Sequence, residues 1–92
     1  MDIASFETSL KSDGFGEIET KRLPETHNAM HAHPFDVRAL VLEGRISLSV
    51  AGESRTYGQG DVFTMAADCS HAEEIGAEGV QYVVGRRRRA ES

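Results

Sequence analysis

The chain has 92 residues, 39% of them hydrophobic and 27% charged, which is the composition of one ordinary globular unit and too short for a two-domain enzyme. Ten Lys and Arg stand against fifteen Asp and Glu, a net charge of -5, and four of the ten basic residues form the run Arg86, Arg87, Arg88, Arg89. Residues 1–85 therefore carry six basic and fourteen acidic side chains, a body at -8 that repels nucleic-acid phosphates. One cysteine, Cys69, excludes an intrachain disulfide and fits a reducing compartment. The longest apolar run, Ala39 to Leu42, falls far short of the ~20 residues of a membrane span, and Met1-Asp2-Ile3-Ala4 lacks the pattern of a signal peptide. The expectation is a cytoplasmic protein with neither a membrane nor a nucleic acid as partner, and with much to gain from a partner subunit, because a chain this short buries only about 60% of its unfolded surface.

In chain order, Ser5 is placed to cap a turn or two of helix with Phe6 and Leu10 on one side. Strands are then expected at Gly16 to Leu23, at Asn28 to His33 and at Val37 to Leu42, the last closed by Glu43-Gly44. The clearest strand is Arg45 to Val50, where Ile46, Leu48 and Val50 share one face and Arg45, Ser47 and Ser49 the other. Ala51-Gly52 turns the chain into Glu53 to Tyr57. Gly58-Gln59-Gly60-Asp61 breaks it before Val62 to Met65, and His71 to Ile75 and Val80 to Val84 follow. About eight short strands suit an antiparallel sandwich or small barrel. Its inner wall is expected from Ala39, Val41, Ile46, Leu48, Val50, Phe63, Met65 and either Tyr82 or Val83, with residues 87–92 as a frayed tail.

Three of the four histidines, His27, His31 and His33, lie within seven residues, and His71 is forty residues away. In His31-Ala32-His33 the imidazoles project from one face of a strand, close enough to meet one metal ion. His27 has the same parity, but at ~3.3 Å per residue it stands about 13 Å from His31, too far for the same ion, and is set aside as a mouth or surface residue.

His31-x-His33, Val41-Leu42-Glu43-Gly44, Gly60-Asp61-Val62 and His71 together resemble the two motifs of the cupins, G(X)5HXH(X)3,4E(X)6G and G(X)5PXG(X)2H(X)3N. Gly44 closes the first motif, and Gly60 and His71 stand at the spacing of the second. The resemblance implies an all-β double-stranded β-helix, or jelly-roll barrel: one cupin domain over 1–92 with a core of about 15–86 and an N-terminal segment 1–14. Many single-domain members of that family pair through their sheets, so a homodimer is implied. The sequence departs from the motifs at Glu25, Ala66, Asp68 and Ile75, and, most consequentially, at the carboxylate ligand, whose position holds Val37 or, at the longer spacing, Arg38.

The resemblance implies His31, His33 and His71 as ligands of one divalent ion, Zn, Fe, Ni or Mn, with open positions for water or substrate. Glu73 shares the face of His71 and is the preferred source of a carboxylate; Asp36, one residue before the usual position, faces outward unless a bulge turns it. Cys69 has the parity of His71 but falls in the loop before it. Arg38, Arg55, Tyr57 and Gln81 are the side chains considered for holding a small chelating substrate at the mouth. A metalloenzyme of dioxygenase, isomerase or decarboxylase type is the first functional expectation; a non-catalytic module that binds or senses a small ligand is the second, and a structural or scavenging role in which the histidines hold a metal without turnover is the third.

Overall fold

The computed structural model describes residues 2–88. A helix, α1 (Ile3–Ser12), precedes eight strands: β1 (Gly16–Leu23), β2 (Thr26–His31), β3 (Phe35–Gly44), β4 (Ile46–Val50), β5 (Glu53–Tyr57), β6 (Val62–Met65), β7 (His71–Ile75) and β8 (Val80–Arg88). They form two four-stranded sheets in the orders β1-β8-β3-β6 and β2-β7-β4-β5, every pairing antiparallel. Among the described residues no helix is long and apolar enough to cross a membrane.

Period-2 alternation sorts β3 and β8 into two faces. Val37, Ala39 and Val41 of β3, Val80, Tyr82 and Val84 of β8, and Phe63 and Met65 of β6 in the same sheet face the second sheet, where they meet Ile46, Leu48 and Ile75 in the main core.

 The opposite face of the same strands carries Leu40 and Val83, and these receive Phe6 and Leu10 of α1 together with Phe15 in a second cluster. The inward residue of β8 is therefore Tyr82, and Val83 belongs to the outer face beneath the helix. Gly85 makes that seat possible, since a Cβ there would lie 3.0 Å from Cδ1 of Leu10. The helix cap is Asp2 rather than Ser5: the Asp2 carboxylate accepts from the Ser5 backbone N–H at 2.7 Å.

Two backbone features set the parity of the strands that carry polar residues. Between Asn28 and His31 the β2–β7 register slips, so that three steps on β2 match two on β7, where Asn28 pairs with Glu73 and His31 with His71. The bulge turns Asn28 and His31 to the same side and sends His27 outward, where its side chain is 82% exposed beside Glu74. A second bulge, between Gly16 and Glu19, aligns Glu19, Lys21 and Leu23 opposite Val84, Tyr82 and Val80 on the inner face.

Strand β8 runs through Arg88, beyond the expected end at Val84, because Arg86, Arg87 and Arg88 pair with Val37, Asp36 and Phe35 of β3. Arg87 and Arg88, expected in a frayed tail, are thus strand residues, and Arg89 lies outside the described residues.

Candidate metal centre

His71, at the start of β7, is 1% exposed, and its ring centroid stands 4.5 Å from that of His31 and 5.0 Å from that of His33. The His31 and His33 rings are 6.4 Å apart. The sequence pair and the distant fourth histidine therefore converge at one place. The loop before β7 brings this about: the Asp68 N–H donates to the His33 carbonyl at 2.7 Å, and the Ala67 N–H donates to Asp36 Oδ1 at 2.8 Å. Asp68 stands at the glycine position of the second motif and keeps the backbone that a glycine would favour, with φ +62°, a region Asp tolerates better than most residues.

Each imidazole is held by the same device. Nδ1 of His31 meets the Ala29 carbonyl at 2.9 Å, Nδ1 of His33 the Phe35 carbonyl at 2.9 Å, and Nδ1 of His71 the Cys69 carbonyl at 3.0 Å. A carbonyl can only accept, so each Nδ1 carries the proton and, in the neutral ring, each Nε2 presents a lone pair. Cys69 thus acts in the cluster through its carbonyl, while its thiol contacts the Ser70 carbonyl at 3.9 Å.

Glu73 completes the group. Its Oε1 lies 3.5 Å from Nε2 of His71 and 3.9 Å from Nε2 of His31, and its Oε2 accepts from Asn28 Nδ2 at 3.1 Å. His31, His71 and Glu73 each offer a ligand atom within 4.8 Å of the others. Ligand atoms about 2.1 Å from a tetrahedral ion sit about 3.4 Å apart, close to the spacing of the Glu73–His71 pair. Nε2 of His71 is buried without a hydrogen-bond partner among the described residues, facing an oxygen that also carries lone pairs. A cation between two such atoms removes the conflict, so the donor set fits a metal ion. His33 stands beside this group, its ring stacked on Phe35 at 4.3 Å with an interplanar angle of 7°.

The remaining expectations separate by face. Asp36 points away from the cluster and pairs with Arg87, Oδ2 accepting from Nη2 at 2.9 Å and Nε at 3.1 Å, as the parity without a bulge requires. Arg38 is on the same outer face, ion-paired with Asp13 at 2.6 Å and lying over the Phe15 ring, and Gln81 meets Arg22 there at 3.5 Å. Neither Arg38 nor Gln81 lines the cavity beside the histidine cluster. Tyr57 packs against the main core with its ring 5.5 Å from Phe63, and Arg55 joins it in an open depression of about 540 Å³ over the β4–β5 hairpin that contains no histidine.

A smaller cavity, about 290 Å³, opens between the sheets and is lined by His33 and Glu73 of the cluster together with Lys21, Asn28, Tyr82 and Arg86. Val37, at the usual carboxylate position, also lines it. The sequence reading passed over Lys21, Asn28 and Arg86 because the two bulges that turn the first two inward leave no mark in the hydrophobic pattern, and Arg86 heads a basic run that resembles a solvated tail. Burial, and after it the Glu73 carboxylate, pushes the Tyr82 phenol above its ordinary value.

The sequence matches no protein-family model and no curated protein. Solved structures do share the architecture. A protein from Neisseria meningitidis is 23% identical with a TM-score of 0.67, over 80% of this chain and 74% of that one. A cupin-2 domain containing protein from Shewanella frigidimarina is 15% identical with a TM-score of 0.64, over 78% of this chain and 69% of its own. An HTH_3 family transcriptional regulator from Vibrio cholerae is 18% identical with a TM-score of 0.66, over 87% of this chain and 46% of the regulator. At these identities the likeness is one of fold.

Proposed function

We propose that this chain, whose two-sheet β-barrel is the cupin fold, binds one divalent metal ion through His31, His33, His71 and Glu73 and acts as a metalloenzyme on a small chelating organic substrate. The observation that carries the reading is the buried Nε2 of His71, which faces Glu73 and has no hydrogen-bond partner among the described residues, with the Nδ1 of all three imidazoles committed to carbonyls. Glu73 replaces the carboxylate that Val37 lacks, from the strand of His71 instead of from β3. Three imidazoles and a carboxylate suit Zn, Fe, Ni or Mn. Such an ion, when bound, supplies Lewis acidity or, if it is iron, a site for O₂. The chain's own part is to hold the ligand set rigid through the three carbonyl contacts and the Asn28–Glu73 hydrogen bond, and to exclude water with the apolar wall. Plasma mass spectrometry of untagged protein, purified without chelator, tests the reading. About one ion per chain is expected, and none, before or after reconstitution, overturns it.

The part-length match to a transcriptional regulator favours a second reading, in which the same barrel binds a small ligand without turning it over. Substrate consumption by the metal-loaded protein separates the two. We also propose a homodimer for a chain of 10.1 kDa, which light scattering tests against the monomer mass.

A further inference from the structure

The cavity beside the histidine cluster has a charged end that the metal reading leaves without a task. Lys21 on β1 and Arg86 on β8 both line it, brought inward by the first bulge and by the extension of β8. One carboxylate answers both cations: Glu19 Oε1 lies 3.9 Å from Lys21 Nζ and 3.3 and 3.4 Å from Nη2 and Nη1 of Arg86. These are long contacts to a single oxygen, and a guanidinium has five N–H donors in a fork that fits both oxygens of a carboxylate. The Arg86 guanidinium also lies 5.6 Å over the Phe35 ring, and Phe35 stacks on His33, so the cationic end is joined to the cluster by two successive ring contacts. Its side chain is only 22% exposed, which reduces the competition from water for an incoming anion. Tyr82 lines the same cavity, and its hydroxyl makes no hydrogen bond to another described residue, which leaves a neutral donor for a ligand oxygen. Apart from Asn28 and Glu73, the rest of the wall, Leu23, Val37, Ile46, Phe63, Met65 and Val84, is apolar.

We infer that the cavity takes a small organic acid, its carboxylate held by Arg86 and Lys21 and a second oxygen directed to the end that carries His33 and Glu73. The inference rests on the proposed metal site for the role of that second oxygen, but the carboxylate contact stands on Arg86 and Lys21 alone. A volume of about 290 Å³ limits the ligand to a compact aliphatic or single-ring acid.

L-Lactate and lactamide, which share a skeleton and differ in charge, test it by calorimetric titration into the protein both metal-free and with one equivalent of Zn²⁺. Lactate is expected to bind about ten-fold or more tightly than lactamide in both forms. In Arg86→Gln that advantage should shrink to about two-fold or less while Zn²⁺ affinity is unchanged. Lys21→Gln, on the edge strand β1, carries the same comparison should Arg86→Gln not fold. Equal binding of the two compounds by the unaltered protein, no binding of lactate, or an advantage that survives the substitution overturns the inference. Failure to take up Zn²⁺ with the lactate preference intact overturns the metal reading and leaves the anion site standing.

Discussion

Nε2 of His71 and Oε1 of Glu73 face each other at 3.5 Å, the first buried and without a hydrogen-bond partner among the described residues, the second on the same face of β7 two residues later. With the His71 Nδ1 proton directed to the Cys69 carbonyl, the pair is two acceptors meeting in the interior. An unpaired buried polar atom costs about 1–3 kcal/mol, so a fold that keeps this arrangement has a reason to hold a cation there.

His71→Ala should remove most of the bound metal while the barrel stays folded, because the main core is apolar and lies between the sheets. His31→Ala should do the same. Metal content by plasma mass spectrometry, read beside far-UV circular dichroism, checks both. Full metal content in the two variants would eliminate the histidine site.

Glu73→Gln keeps the shape of the side chain and its reach to Asn28 but removes the charge. Metal affinity should fall about 10–100-fold, and Asn28→Ala, which only frees the carboxylate to move, should have a smaller effect in the same direction. Competition with a chromophoric chelator measures both. An unchanged affinity in Glu73→Gln would remove the carboxylate from the site.

Gly44→Ala should be among the most damaging single substitutions on the surface of the barrel. Gly44 has φ +75°, and a Cβ there would lie 2.1 Å from the Gly79 carbonyl oxygen, backbone that cannot swing aside. The combined strain is about 3 kcal/mol or more, read as a drop in urea midpoint without a change in slope. A near-native midpoint would mean that the β3–β8 end can open at little cost.

Leu10→Ala tests the seat of α1. Leu10 is fully buried against Gly85, Leu40 and Val83, so its loss should cost about 2–5 kcal/mol in the same titration. A loss below about 1 kcal/mol would show that the helix is dispensable to the barrel.

Asp2 supplies a pH test. The Ser5 backbone N–H, and after it the Ser5 hydroxyl, holds the Asp2 carboxyl below its usual value. A group whose pKa is lower in the folded state stabilises it above the unfolded pKa of about 3.9, and that contribution is lost as pH falls through the folded value. Asp2→Ala should therefore lower the melting temperature at neutral pH, with the gap closing in acid. A gap independent of pH would assign the effect to something other than the charged cap.

The sequence by itself carried the β-rich architecture, with β1, β5 and β6 legible to the residue and β7 closely, because glycine-rich turns bound short segments and, where apolar and polar side chains alternate, the alternation reports which face is buried. The motif spacing also pointed to the meeting of His31, His33 and His71 that the ring distances describe, although His33, expected on the strand, stands two residues beyond the end of β2. What only the tertiary structure decided was parity across the bulges. One extra residue between Asn28 and His31 reverses the faces before it, so His27 goes out and Asn28 comes in to hold Glu73. The bulge between Gly16 and Glu19 likewise aims Lys21 inward. The end of β8 was also invisible, since charge alone argues for solvent, whereas pairing with Phe35, Asp36 and Val37 draws Arg86 to the cavity and Arg87 to Asp36. A bulge is set by which backbone groups find partners on the neighbouring strand, and that neighbour lies forty or more residues away in the chain.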